Sequence, residues 1–175
     1  MFKTLALIQK NRRKVLGMNE RNLEYIRKLN KSKNIEIADN KILTKEVLMK
    51  EGIPTPKLIT VIKSYQELNN FDFSTLPASF VLKPVTGLEG GGIDLFYNQD
   101  KNGAWIRADK SKVTIDQLKK QIADILDGKY SLNQTPDFAL FEERIKTHKV
   151  FKYYTYKGTP DIRIITINGV PAMAF

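Results

Sequence analysis

The sequence predicts an α+β protein: N-terminal helices come first, then a lobe with an antiparallel sheet, then the opening hairpin of a further, incomplete lobe. Three observations carry that prediction. Apolar residues recur at helical spacing as far as Gly52, where Pro54 and Pro56 forbid continuation. Beyond Pro56, short apolar runs of strand length take over, separated by turn residues. Asn102-Gly103 and Asn168-Gly169 then mark tight hairpins, the second being the strongest short hairpin signal in the chain.

Each element has its own signal. Phe2–Val15 reads as a helix ending at Gly17, and Asn19 suits the cap of a second helix through Leu29, with Leu23, Ile26 and Leu29 as its apolar stripe. Asp39 or Asn40 opens a third helix whose inward side is Leu43, Val47 and Leu48, and Gly52 fits its left-handed C-terminal position. Leu58–Ile62 is a strand-length run, and Ser64 caps a brief helix toward Phe71. Strands follow at 79–83, 93–97 and 104–108. Thr114 caps a helix that sets Ile115, Leu118, Ile122, Ile125 and Leu126 on one face and closes at Gly128. Residues 138–142, 161–167 and 170–175 complete the strands. The expected division is a helical region over 1–56, an α+β lobe over 57–145 and the start of a second lobe over 146–175.

Composition narrows the chemistry. A chain of 175 residues with 42% hydrophobic and 27% charged residues has the balance of a globular protein. It has no cysteine and a single histidine, which removes thiol nucleophiles, disulfides and histidine-rich metal sites. His148 reads as a loop residue. No apolar run approaches the ~20 residues of a membrane span, so the expectation is a soluble, cytoplasmic protein with no membrane partner. The net charge of +10 is uneven: residues 1–63 hold 15 basic and 6 acidic residues, residues 64–175 hold 14 and 13. Lysines scattered along helices describe a solvated face better than a phosphate-tracking stripe, so nucleic acid is not the expected partner.

No P-loop, dinucleotide fingerprint, zinc-protease motif or nucleophile elbow is present. The remaining chemistry rests on lysines, glycines, acids and arginines, which cluster in four places. Between two strands, residues 83–92 hold Lys83-Pro84 and four of the ten glycines, Gly87, Gly90, Gly91 and Gly92. Glycines let backbone N–H groups approach an anion closely, and Lys83 at the strand exit can point into the loop, although a flexible hairpin loop reads the same way. Lys41 stands at the start of the third helix, as a second phosphate-reaching lysine or as a solvated one. Glu142 and Glu143 end an apolar strand just before Arg144 and Ile145, either accepting from an adenine amino group or forming an ordinary surface acid pair. Asp161 and Arg163 share a strand face, either as an ion pair or with Arg163 clamping an anion.

In order, these clusters resemble the ATP-grasp superfamily. The fuller set is Gly17-Met18-Asn19-Glu20-Arg21-Asn22, Thr44-Lys45, Glu142-Glu143-Arg144, Gly158-Thr159-Pro160-Asp161-Ile162-Arg163 and Asn168-Gly169-Val170-Pro171. It is similar to the alpha-L-glutamate ligase-related branch, from about Val15 to the C-terminus. The resemblance implies ATP held between two α+β lobes, with Lys41 and Lys83 on the phosphates and Gly87, Gly90, Gly91 and Gly92 folded over them. It implies an adenine-reading segment at Glu142, Glu143, Arg144 and Ile145, and Arg163 as the catalytic cation on the transferring phosphoryl group. The implied activity is carboxylate–amine ligation through an acyl phosphate, with small-molecule or peptide substrates. The implied cofactors are ATP and Mg²⁺, the metal ligands being expected beyond Phe175, so that the chain as given would bind nucleotide but turn over poorly. The alternative is a non-catalytic basic helical module for an acidic protein or nucleic acid. A homo-oligomer completed through the C-terminal hairpin is the third expectation, since an unpaired apolar edge invites another strand.

Overall fold

A computed structural model describes residues 16–88, 90–153 and 161–175. The helix expected at Phe2–Val15 and the motif residues Gly158, Thr159 and Pro160 lie outside them. The chain divides into two compact units, Asp39–Ile162 and a smaller one joining Arg163–Phe175 to the residues before Asp39.

The smaller unit begins with helix α1, Met18–Glu20, which continues through a π-helical stretch, Arg21–Ile26, to Arg27–Leu29. Asn19 lies inside this helix and Gly17 takes the N-cap position without any side-chain cap, which corrects the sequence expectation. The expected stripe is not a core: Leu23 and Leu29 are exposed. A short helix that the sequence pattern did not reveal, α2 (Ser32–Asp39), buries no residue. At the other end, β7 (Ile164–Ile167) and β8 (Val170–Ala174) form an antiparallel hairpin. Asn168 and Gly169 have φ of 51° and 79°, the paired left-handed geometry that the Asn-Gly signal foretells. The strand starts at Ile164, three residues later than expected. Asp161 therefore lies outside it, while Arg163 still exchanges backbone hydrogen bonds with Phe175.

The larger unit is built on a six-stranded antiparallel sheet in the order β1-β6-β2-β3-β4-β5. The strands are β1 (Leu58–Ile62), β2 (Phe80–Pro84), β3 (Asp94–Gln99), β4 (Trp105–Arg107), β5 (Lys112–Val113) and β6 (Ala139–Glu142). Helix α3 is Lys41–Lys50, α4 is Tyr65–Asn70 and α5 is Ile115–Leu126. Strand β6, the last of this sheet in sequence, slots between β1 and β2. Its four residues are all buried, as a central strand covered on both faces must be.

Side chains alternate across the sheet, so β2 and β6 send two sets in opposite directions. Phe80, Leu82, Ala139 and Phe141 join Phe96, Trp105 and the inward residues of α5 in one apolar cluster. Leu118, Ile122, Ile125 and Leu126 of α5 are buried as their spacing predicts, whereas Ile115 in the first turn is exposed. Thr114 caps the helix in a capping box with Gln117. The other set is Val81, Lys83, Leu140 and Glu142, and it carries the charge.

Candidate functional site

The second face of the sheet begins with register. Lys83 stands opposite Leu140, and Glu142 stands opposite Val81. Lys83 and Glu142 are therefore diagonal neighbours on one face, close enough for long side chains to meet. They do meet: the Lys83 ammonium pairs with Glu142 Oε1. The carboxylate is also claimed from α3, where Lys45 Nζ lies 2.8 Å from Oε2 and donates to the Pro56 carbonyl at 2.6 Å. Oε2 is buried with no hydrogen-bond donor, so Lys45 meets it as an ionic contact. Burial differs sharply around the trio: the side chains of Glu142 and Lys45 are 5% and 9% exposed, that of Lys83 is 21%. A carboxylate so deeply placed requires a cation, and here it has two.

Lys45 corrects the expected inward face of α3. It is the buried residue of that helix, while Leu43 and Leu48 are only half-buried and Val47 is 41% exposed. A signal for it exists in the sequence. Lys45 follows Lys41 by one helical turn, on the same face, and an acid ending an apolar strand needs a partner.

The start of α3 is tied to the glycine loop. Asn40 is the N-cap, accepting from the amides of Ile42 and Leu43. Lys41 donates its backbone N–H to the Val85 carbonyl at 3.1 Å, and its Nζ donates to the carbonyls of Val85 and Gly87, both at 3.2 Å. Burial pushes the Lys41 ammonium below its usual pKa range, and repulsion from the nearby Lys83 ammonium adds to this, against weaker support from Asp137, Asp39 and Glu142. Two cations thus converge at the root of the loop. The buried Asp137 holds that root, accepting from the amides of Thr86 at 2.9 Å and Phe138 at 2.7 Å.

The loop itself is packed. A Cβ on Gly87 would lie 2.2 Å from the Pro84 ring, and one on Gly92, at φ +71°, would lie 2.6 Å from the Tyr130 ring. Gly91 also sits against Tyr130, whose carbonyl accepts from the Leu88 amide at 3.1 Å. Gly90, at φ +76°, has open space where a side chain would go. The glycines thus let the backbone run close over Pro84 and Tyr130.

Past β6 the chain runs on without regular structure. The Glu143 amide donates to the Lys57 carbonyl at 2.9 Å, and Arg144 Nε donates to Ser79 Oγ at 2.9 Å with its guanidinium 4.2 Å from the Tyr97 ring centre. Ile145 is 57% exposed. With Glu143, Arg144 and Lys146 it faces Pro54–Lys57 across an open cleft of about 610 Å³. His148 is exposed and lies in a turn where its Nδ1 accepts from the Val150 amide at 3.4 Å. Arg163 belongs to the smaller unit and is exposed. Among the described residues no group of three or more His, Cys, Asp or Glu side chains is arranged to hold a metal ion. No described helix is long and apolar enough to cross a membrane.

Two converging lysines, a close-packed glycine loop between antiparallel strands and a strand end facing a cleft define a domain of the ATP-grasp type. Residues 20–175 match the model of the sugar-transfer associated ATP-grasp family. The chain belongs to that family, and so to the ATP-grasp superfamily, a class tied to ATP-dependent, ligase-like activity. The match does not extend to the glutamate-ligase-related branch that the motifs resemble, and it does not favour the reading as a basic, non-catalytic module. No curated protein and no solved structure matches the chain.

Proposed function

We propose that the larger unit binds the triphosphate of ATP through Lys41, Lys83 and the backbone at Gly87, Gly90, Gly91 and Gly92, and that the protein uses ATP to join a carboxylate to an amine. The observation that carries this reading is the pair of ammonium groups at the root of the glycine loop. One of them is shifted toward losing its proton partly by the other, an arrangement that a polyphosphate would relieve. Adenine would lie by Glu143, Arg144 and Ile145, next to the cleft at Pro54–Lys57, with Glu142 beneath it.

In the proposed reaction a carboxylate oxygen attacks the γ-phosphorus, and the bond from that phosphorus to the ADP oxygen breaks with its electron pair leaving on ADP. An amine nitrogen then attacks the acyl carbon, inorganic phosphate departs, and the amine proton passes to solvent. Such chemistry depends on positioning and charge neutralisation and not on a side-chain nucleophile, which suits a chain with no cysteine. Arg163 is proposed as the cation on the transferring phosphoryl group. The family's association with sugar transfer makes sugar-borne carboxylates and amines the first substrates to test.

The binding half of the proposal is tested by competition between ATP and a fluorescent adenine nucleotide. Displacement by ATP and ADP, much weaker displacement by adenosine, and loss of binding in Lys41→Met are expected. Displacement by adenosine as effective as that by ATP would remove the phosphate role of the two lysines.

A further inference from the structure

The trio on the second sheet face contains more cation than its acid needs. Glu142 is nearly inaccessible and pairs with both Lys45 and Lys83. The two lysines are not equivalent. Lys45 is as deeply buried as the acid and is anchored by the Pro56 carbonyl at 2.6 Å, so it has one place to be. Lys83 is the more exposed, stands at the exit of β2, and is near enough to Lys41 at the loop root to depress it. An isolated buried carboxylate is costly, and removing its only partner is costlier than removing one of two.

We propose that Lys45 is a positioning residue that keeps Glu142 neutralised, and so frees the Lys83 ammonium to leave the carboxylate for the nucleotide phosphates. Glu142 then acts as a resting place that holds Lys83 extended when no nucleotide is bound. Lys45 touches neither nucleotide nor substrate. Its effect is on how much of the Lys83 interaction is spent at home. Without Lys45, Lys83 would be the sole partner of a buried acid, and every phosphate contact it made would strand that charge. The inference rests on the nucleotide reading of Lys83 given above.

The test is calorimetric titration of the 175-residue chain with Mg-ATP and separately with adenosine, for the wild type, Lys45→Met, Lys45→Arg and the double variant Lys45→Met/Glu142→Gln. In Lys45→Met, Mg-ATP affinity is expected to fall by about tenfold or more with adenosine affinity unchanged. Lys45→Arg should retain most of the affinity. Because Glu142 also lies beneath the proposed adenine position, the double variant is read as the ratio of Mg-ATP to adenosine affinity, which should return to within about threefold of the wild type's. Unchanged Mg-ATP affinity in Lys45→Met, an equal loss for adenosine, or no recovery in the double variant would overturn the proposal. If Lys45→Met does not fold, the double variant decides: a wild-type ratio of Mg-ATP to adenosine affinity supports the proposal and a lowered ratio overturns it. A wild type that binds no Mg-ATP defeats the nucleotide reading itself, and this inference with it, a result distinguishable from all the others.

Discussion

Lys41 shows how a single side chain ties charge to binding. Its pKa is lowered in the folded protein, first by burial and then by Lys83. The unfolded chain therefore keeps this proton to higher pH than the native chain does, and this group's contribution to stability rises as pH climbs from the lowered value toward 10.5. Phosphate binding has the opposite preference, because it favours the ammonium form. ATP binding is expected to take up protons in that same alkaline window, read as a dependence of the binding heat on the ionisation enthalpy of the buffer, and Lys41→Arg, whose guanidinium stays charged throughout, should bind without it. Uptake that persists in the variant would mean that another group carries it. Gly128 offers a second test at this scale. It has φ of +78°, and an added Cβ would lie 2.2 Å from the Thr135 carbonyl oxygen, whereas Gly52 at +71° has open space. Gly128→Ala should cost about 2–4 kcal/mol and Gly52→Ala about 1 kcal/mol in denaturant unfolding. Lys41, Lys83 and the loop glycines were legible as candidates because strand-Lys-Pro and clustered glycines are local patterns. Lys45 carried only the weaker signal of its place one turn after Lys41, because helical periodicity assigns inward positions to apolar residues, and its partner lies 97 positions further along the chain.

At the scale of the element, hairpins and every expected cap but Asn19 were readable, and short or apolar-poor pieces were not. Asn40, Ser64 and Thr114 each cap the helix that their spacing marks. Thr114→Ala should lower stability by about 1 kcal/mol, because it removes the hydroxyl that accepts from the Gln117 amide. Thr114→Ser should recover most of it. Strand β5 has two residues, too few to show alternation, and α2 buries nothing, so neither leaves a hydrophobic pattern. The place of β6 between β1 and β2 is a non-local pairing, and no run of residues announces it. That pairing nevertheless makes the site, since it sets Glu142 diagonal to Lys83.

Across the whole molecule, the excess of basic charge in residues 1–63 first suggests an acidic partner. Two members of that basic set, Lys41 and Lys45, are instead committed to the loop root and to Glu142. Global charge therefore said little about function, while the order of four small motifs along the chain pointed to the superfamily, though not to the family, that the match establishes. The C-terminal hairpin exposes Ile164, Ile165, Ile167, Val170, Met173 and Phe175. Self-association through it is expected to appear as concentration-dependent sedimentation that Ile165→Lys reverses, and a monomer at every concentration would remove that expectation. The nucleotide reading is tested most directly by thermal unfolding of the 175-residue chain with and without Mg-ATP, beside the Lys83→Ala variant. At a ligand concentration near 100 times the dissociation constant, binding would add about 2.7 kcal/mol, a rise of several degrees for a chain of this size. The rise should vanish in Lys83→Ala, whose ligand-free midpoint should stay close to the wild type's because Lys45 still neutralises Glu142. An equal rise in both proteins, or none in the wild type, would contradict the assignment of Lys83 and the glycine loop to ATP.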